Sequence, residues 1–421
     1  MSFSETWQVG FELELLLGDL NDLRFTRYAD DPMDVASQEY CRAVASSLSQ
    51  FTNRRWLAAQ TKQRRTGYFV YSEYDLDPLD WPGGVVAGVE LVTPPLLMGE
   101  AEALREEIDD WAIEFDAGIN TYRNRYSLGS GWHINIDPGK SAKGIDQSKA
   151  VLCADELPTL LSARRYPSQY ASPQRHSYGA PLLRYIMSEA TRPLLERDLG
   201  NFLRHYGGRG KRYAMNLAKL DHGYLELRHF GSEWFFREQP LDQILAPFLA
   251  AIECTYDSHQ LREERLLATF DLLAQWVAEI TPSISYAWRP PGSVILNMAF
   301  GEIRFEGELL ADVQWCGTAN YFMRLKSGEI GPSIYDQAFP DLPLSLAVLA
   351  LDLAEIRGRK LGKLLLANAA FSRAVDQLAK SLKRAGLLDP PPLEQSVYWT
   401  TPPYDPARVA DETGLGRPPG D

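Results

Sequence analysis

The sequence predicts an α+β protein in which one sheet carries an apolar face under helices and leaves its other face polar. Three observations predict it. Several short segments alternate apolar and polar residues with period two, as half-buried strands do. Segments of helical spacing stand between them. The chain has 421 residues, 45% hydrophobic and 24% charged. That suffices for one large domain with an extension, and it excludes global disorder.

Residues 8–17 (QVGFELELLL) alternate strongly and read as a strand, and residues 35–50 have helical spacing. Around 68–74 an aromatic strand runs into an acidic turn holding Glu73, Asp75, Asp77 and Asp80. The strand GVELVT (88–93) stops at Pro94 and Pro95, which cannot extend a central strand. A charged amphipathic helix over 99–116 leads to GSGWHINID (129–137), a strand opened by glycines. Residues 147–200 read as mainly helical, with a polar, Tyr-rich loop at 166–179. A glycine-rich basic loop and the strand GYLELRHF (223–230) follow, then helices over 239–256 and 258–280. Prolines bracket 282–292 (PSISYAWRPPG), which reads as a linker and divides the chain into 1–285 and 286–421. The second part holds short β pieces over 293–326, helices over 343–357 and 361–385, and a Pro-rich tail from Asp389. Leu346, Leu349 and Leu353 follow helical spacing and are expected to pack on the first domain or on another subunit, with a cap over a substrate site as the alternative.

Lys and Arg number 43 against 56 Asp and Glu, a formal net charge of −13. That balance argues against nonspecific binding to nucleic acid or anionic lipid. The opening residues MSFSETWQVG show no basic n-region and no apolar h-region. The longest apolar run, 342–351, ends at Asp352 at about half the length that spans a bilayer. A soluble, cytoplasmic protein with no nucleic-acid or membrane partner is expected. Cys41, Cys153, Cys254 and Cys316 lie far apart, without Cys-x-x-Cys spacing or a neighbouring His, and read as reduced thiols.

The informative feature is shared by four strands. Side chains at i and i+2 of a strand point to one face. Phe11-Glu12-Leu13-Glu14-Leu15 therefore sets two carboxylates on one face with apolar residues behind. Trp132-His133-Ile134-Asn135-Ile136 does this with an imidazole and an amide, Leu225-Glu226-Leu227-Arg228 with a carboxylate and a guanidinium, and Val89-Glu90-Leu91 with a lone carboxylate. In one sheet these strands would form a polar floor. Like charges ~4 Å apart repel by about 4 kcal/mol at an effective dielectric near 20, so four carboxylates need compensation. Divalent cations supply it, and oxygen-rich ligation with one imidazole suits Mg²⁺ or Mn²⁺ rather than zinc or copper. The plainer alternative for any single strand is a solvated sheet edge, and for His133 a structural histidine.

A second constellation is the loop carrying Arg204, Arg209, Lys211 and Arg212 among Gly207, Gly208 and Gly210. Glycines let a backbone approach an anion, and guanidinium groups grip phosphate oxygens in pairs. The loop lacks the Walker pattern. A nucleotide-phosphate grip and a mobile surface loop are the two readings. Trp234 and Phe235 are expected in the core.

The motifs occur in a telling order: Gly10-Phe-Glu-Leu-Glu, Gly88-Val-Glu-Leu-Val-Thr-Pro-Pro, Gly131-Trp-His-Ile-Asn, Arg212-Tyr-Ala-Met-Asn-Leu and Gly223-Tyr-Leu-Glu-Leu-Arg. Over about residues 8–260 this resembles the amidoligase family, carboxylate–amine ligases of the glutamine synthetase and glutamate–cysteine ligase superfamily. The resemblance implies a glutamine-synthetase-like curved antiparallel sheet with helices on one face, plus a mostly helical C-terminal extension. It implies that Glu12, Glu14, Glu90, His133 and Glu226 hold divalent metals, with Glu90 beside the acceptor carboxylate. Arg228 would contact phosphate, and Asn216 would touch substrate. Asn135 stands where the family's second histidine is expected, and Thr93 where a serine is. Asp75 or Asp77 would supply an upstream acidic residue and act as the base.

The activity implied is ATP-dependent amide formation through an acyl phosphate. The loops at 166–179 and 204–212 are candidate lids, and amino acids, peptides or protein termini are candidate substrates. Two alternatives remain open here: a phosphotransferase of the same fold, and a non-catalytic nucleotide-binding scaffold.

Overall fold

A computed structural model of the protein describes residues 7–17, 35–59, 67–73, 87–115, 131–137, 146–154, 173–210, 213–231, 235, 240–245, 256–289, 298–316, 320–325, 333–336, 342–360 and 366–388. In chain order the elements begin with β1 (Gln8–Leu17), α1 (Val35–Thr52), β2 (Trp56–Ala58), β3 (Tyr68–Glu73), β4 (Ala87–Val92), β5 (Leu96–Leu97), α2 (Met98–Phe115) and β6 (Gly131–Asp137). Then come α3 (Gln147–Ala154), α4 (Arg175–Ile186), α5 (Arg192–Arg197), α6 (Leu199–Tyr206), β7 (Met215–Asn216), a 3₁₀ turn (Leu217–His222) and β8 (Leu225–Gly231). The rest are α7 (Tyr256–Ile280), β9 (Ile284–Arg289), β10 (Met298–Phe305), β11 (Glu308–Cys316), β12 (Asn320–Leu325), β13 (Ser333–Asp336), α8 (Leu342–Gly358) and α9 (Ala369–Arg384).

The protein is mixed α+β, and it packs as two compact units. One comprises residues 1–141 and 219–247, the other 142–218 and 248–421. This division differs from a boundary at 285/286, because the described residues beyond 285 group with those of 142–218 and 248–285 in one unit.

In the first unit the sheet runs β2-β3-β4-β1-β6-β8. Its pairs are antiparallel except β2 with β3, which is parallel. The expectation of a purely antiparallel sheet is corrected at this edge, where three residues of β2 are too few for an alternation to register in sequence. The alternating apolar residues form the predicted packed face. Phe11, Leu13, Val89, Leu91, Trp132, Ile134, Leu225 and Leu227 are all buried. Helices α1 and α2 pack against the sheet and each other, and Trp111 of α2 donates its indole N–H to Ser47 of α1 at 3.0 Å. Phe235 is buried edge-on to Phe11 and Trp132; Trp234 lies outside the described residues. Thr93 spans the break at Pro94: its N–H donates to Phe11 O at 3.0 Å, and its hydroxyl accepts from Phe11 N at 2.9 Å. The chain then rejoins β1 as β5, with Leu96 opposite Val9. Cys41 is buried beside the Ser72 hydroxyl, and burial pushes its thiol up despite that hydrogen bond, so it is unreactive.

The second unit holds an antiparallel sheet in the order β13-β12-β11-β10-β9. Residues 282–292, read as a linker, instead contain β9, paired along β10. The prolines bracket a strand here, since Ile284, Tyr286 and Trp288 alternate along it. Between β10 and β11, Glu306 and Gly307 both take positive φ, 51° and 81°, as a tight hairpin requires. Asn368 caps α9 by accepting from Phe371 N at 2.9 Å and donates to Phe305 O at 3.1 Å. Helix α8 packs on α9, α4 and α7. Leu346, Leu349 and Leu353 are buried in this helix, which packs on α4 and α7 of residues 1–285 as expected, and Leu344, Ala347, Val348 and Leu351 are buried around the rest of it. Residues 173–179 of the expected loop begin α4, where Arg175, His176 and Tyr178 are buried; 166–172 lie outside the described residues.

On α7, His259 Nε2 lies 3.5 Å from Glu263 Oε1 one turn on. Burial, reinforced by Lys149, lowers the His259 imidazole to about 4. Burial and Asp146 raise the Glu263 carboxyl to about 7. The lowered His259 contributes stability that is present above its ordinary 6.5 and is lost as pH falls towards 4. The raised Glu263 contributes stability present below its ordinary 4.5 and lost as pH rises through 7. The two slopes oppose each other between those ordinary values. Glu263→Gln should therefore expose the His259 slope, so that the melting temperature of the variant falls more steeply than wild type between pH 7 and pH 4. Parallel slopes in thermal melts across that range would show Glu263 ionised in the folded protein.

Candidate functional site

The register of the first sheet decides which polar side chains meet. Glu14 pairs with Glu90, Glu12 with His133 and Gly10 with Asn135, and Asn135 with Glu226. Directly opposed residues of an antiparallel pair share a face, so the expected floor forms. It is buried: Glu12 is 5% exposed, Glu90 2%, His133 5%, Asn135 6% and Glu226 2%. An irregularity in the β6–β8 register follows Trp132, and it brings Arg228 beside His133, Nη1 to Nδ1 3.4 Å.

Of the five expected metal ligands, three bring donor atoms together. One atom each from Glu12, Glu90 and His133 lies within 4.8 Å of the others. Two carboxylates with one imidazole are an oxygen-rich set that fits Mg²⁺ or Mn²⁺. Glu14 and Glu226 are not in this trio. Glu14 Oε2 instead accepts from Gly131 N at 2.7 Å, with Oε1 3.8 Å from His133 Nε2. Glu226 Oε1 accepts from Arg228 Nη1 at 2.7 Å and lies 4.0 Å from His133 Nδ1, while Oε2 is 4.0 Å from Lys219 Nζ. Burial pushes the Glu226 carboxyl up, but Arg228, His133 and Lys219 outweigh it and hold the group below the usual carboxylate range. Both amide atoms of Asn135 and the Nε of Arg228 are buried with no hydrogen-bond partner among the described residues.

Gly131 lies in close approach to two side chains of the floor. A Cβ built there meets His133 Nε2 at 2.9 Å and Glu14 Oε2 at 3.0 Å. Gly131→Ala should displace both side chains and weaken Mn²⁺ binding about tenfold, the scale on which displaced ligand supports act. Calorimetric titration with Mn²⁺ checks this, and an unchanged affinity would mean the two side chains yield freely.

The remaining candidates fall elsewhere. Arg204 lies in the second unit, bound to Asn201 and, at 3.3 Å, to Ser148 Oγ, with Asp146 Oδ1 at 3.6 Å. Arg209 of that unit is exposed. A Cβ on Gly207 would strike Val151 and the Leu203 carbonyl, and one on Gly208 the Tyr213 ring. Packing thus explains these two glycines without an anion. Asn216, also of the second unit, is buried and accepts from Ala218 N at 3.2 Å, starting the 3₁₀ turn. Asp75, Asp77, Lys211 and Arg212 lie outside the described residues.

Sequence reasoning missed Lys219, which has no periodic signal. It also missed a buried network in the second unit. Arg175 Nε is 2.7 Å from Asp352 Oδ1 and its Nη2 2.6 Å from Glu355 Oε2, while His176 Nε2 meets Asp352 Oδ2. Its signal was present: Asp352 and Glu355 are the only acids in the apolar helix 342–358. No family model matches the chain, and no curated protein matches its sequence.

Proposed function

We propose that the protein is an ATP-dependent carboxylate–amine ligase that uses Mg²⁺ or Mn²⁺ and forms a peptide or isopeptide-like amide through an acyl phosphate. The observation that carries this reading is the register that puts Glu12, Glu90 and His133 within 4.8 Å on the buried face that also holds Arg228. When bound, the divalent ions neutralise the triphosphate. Glu12, Glu90 and His133 would hold them, with Glu14 steadied beside them by the Gly131 amide.

A substrate carboxylate oxygen attacks the γ-phosphorus, and the bond to the bridging oxygen of ADP breaks. Arg228 stabilises charge on the transferring oxygens, as positioning and electrostatics do in phosphoryl transfer generally. The amine then attacks the acyl carbon, phosphate leaves, and the amine proton passes to a carboxylate base, for which we propose Asp75 or Asp77. The burial of Glu12, Glu90 and His133 favours the intermediate by keeping water away. Consumption of ATP and the buried thiols of Cys41 and Cys153 suit a cytoplasmic setting, and no helix among the described residues is long and apolar enough to cross a membrane.

The test is ADP release from ATP and Mg²⁺ across paired acid and amine libraries. Release that needs both an acid and an amine supports the ligase. Release without amine makes the protein a phosphotransferase, and no ATP binding by calorimetry with or without Mg²⁺ removes both.

A further inference from the structure

The carboxylates of the floor divide into two environments. Glu12 and Glu90 join His133 in the trio, whereas Glu226, although its Oε1 also lies 4.0 Å from His133 Nδ1, has a cation against each oxygen, Arg228 on one and Lys219 on the other. The Glu226 group therefore carries one negative and two positive charges, beside a trio that carries two negative ones. A residue so paired is poorly placed to give its lone pairs to a metal ion.

The cations around Glu226 have donors to spare. Arg228 Nε is buried without a partner among the described residues. Lys219 comes from the 3₁₀ turn before β8, with its ammonium 5.9 Å from the Tyr224 ring centre and its side chain 32% exposed. One of its N–H bonds can face Glu226, which leaves others for a ligand. Asn135, opposite Glu226 in register, has a buried amide with neither Nδ2 nor Oδ1 satisfied among the described residues. Each buried polar group left unmade costs about 1–3 kcal/mol, so a polar ligand is the economical complement. Donors on three elements, the 3₁₀ turn, β6 and β8, suit the three terminal oxygens of a phosphoryl group better than the two of a carboxylate.

We infer that Lys219 contacts the phosphoryl oxygens of ATP together with Arg228 and Asn135, and that Glu226 is a positioning residue for these cations rather than a metal ligand. This rests on the ligase reading and assigns two roles that the reading leaves open. Lys219 brings a second charge to the γ-phosphoryl group, while Glu226 sets where the two cations point.

Calorimetry with Mn²⁺ alone, and with ATP in the presence of Mn²⁺, separates the roles. Lys219→Met should keep Mn²⁺ affinity within about twofold and weaken ATP about tenfold, and Lys219→Arg should recover most of that loss. Glu226→Gln should keep Mn²⁺ affinity where Glu12→Gln loses it, and should lower the kcat of ATP turnover about a hundredfold with a much smaller change in ATP affinity. A general structural defect would instead move Mn²⁺ binding, ATP binding and melting together. Wild-type ATP affinity in Lys219→Met overturns the contact, and loss of Mn²⁺ binding in Glu226→Gln overturns the positioning role. If wild type binds neither probe, the ligase reading falls and takes this inference with it. If wild type binds both while Lys219 is silent, the ligase reading stands without it.

Discussion

Glu12→Gln should lower the metal-dependent ATP turnover of the proposed ligase about a thousandfold, the upper range for removing one preorganised electrostatic contact, and leave the melting temperature unchanged or higher. Both halves of that expectation come from the same geometry. Glu12 is 5% exposed, faces His133 across β1 and β6, and shares the donor trio with Glu90. Its amide variant keeps the shape but offers no negative charge to a metal. Without metal the native carboxylates repel one another, by about 4 kcal/mol per close pair at an effective dielectric near 20. Neutralising one relieves that repulsion in the apoprotein. Glu90→Gln should behave alike. Turnover by ADP release and thermal melts in chelator and in Mn²⁺ test both halves. A variant that turns over normally removes Glu12 from the site, and one that melts much earlier gives its carboxylate a structural role.

Asp352→Ala has the largest expected effect on stability. Asp352 is fully buried and holds Arg175 through one oxygen and His176 through the other. Its removal takes one carboxylate partner from the buried Arg175 guanidinium and the Asp352 partner from the buried His176 imidazole. Breaking a buried pair from one side costs about 3–5 kcal/mol. For a unit of this size that corresponds to a fall in melting temperature on the order of 10 °C. Replacing both members, Arg175→Met with Asp352→Leu, should cost clearly less, because no charge is then stranded. Circular-dichroism melts of the single and double variants test this, and equal losses would show that the packing of α8 matters more than its charges.

The strands of the candidate site were legible in sequence because a period of two survives over residues 8–15, 88–91, 131–137 and 225–228. What the alternation does not encode is register. That Glu14 meets Glu90 while Glu12 meets His133 depends on how the strands slide. The trio of Glu12, Glu90 and His133 therefore emerged from a wider list of five residues only once the pairing was known. The second unit was less legible. Its boundaries follow contacts between distant segments, and the prolines that flank β9 look in sequence like those of a linker. Helix α8 was visible, but its burial on several faces was hidden, since spacing picks out one face and the other faces are apolar too. Asp352 and Glu355 in that helix were a sign of buried pairing, with partners about 180 residues away that no local pattern names.

The first unit is interrupted in sequence, and this bears on its biosynthesis. Strand β8 supplies Glu226 and Arg228, yet residues 142–218 of the other unit are translated between β6 and β8. At about 5–20 residues per second, the interval from residue 137 to residue 225 lasts on the order of 10 s. During that time the nascent chain holds β6 without the partner on its far side, and Trp132, Ile134 and Ile136 wait on an open strand edge. The protein is thus most exposed to mispairing on the ribosome, and a pause in translation just before β8 would lengthen that exposure.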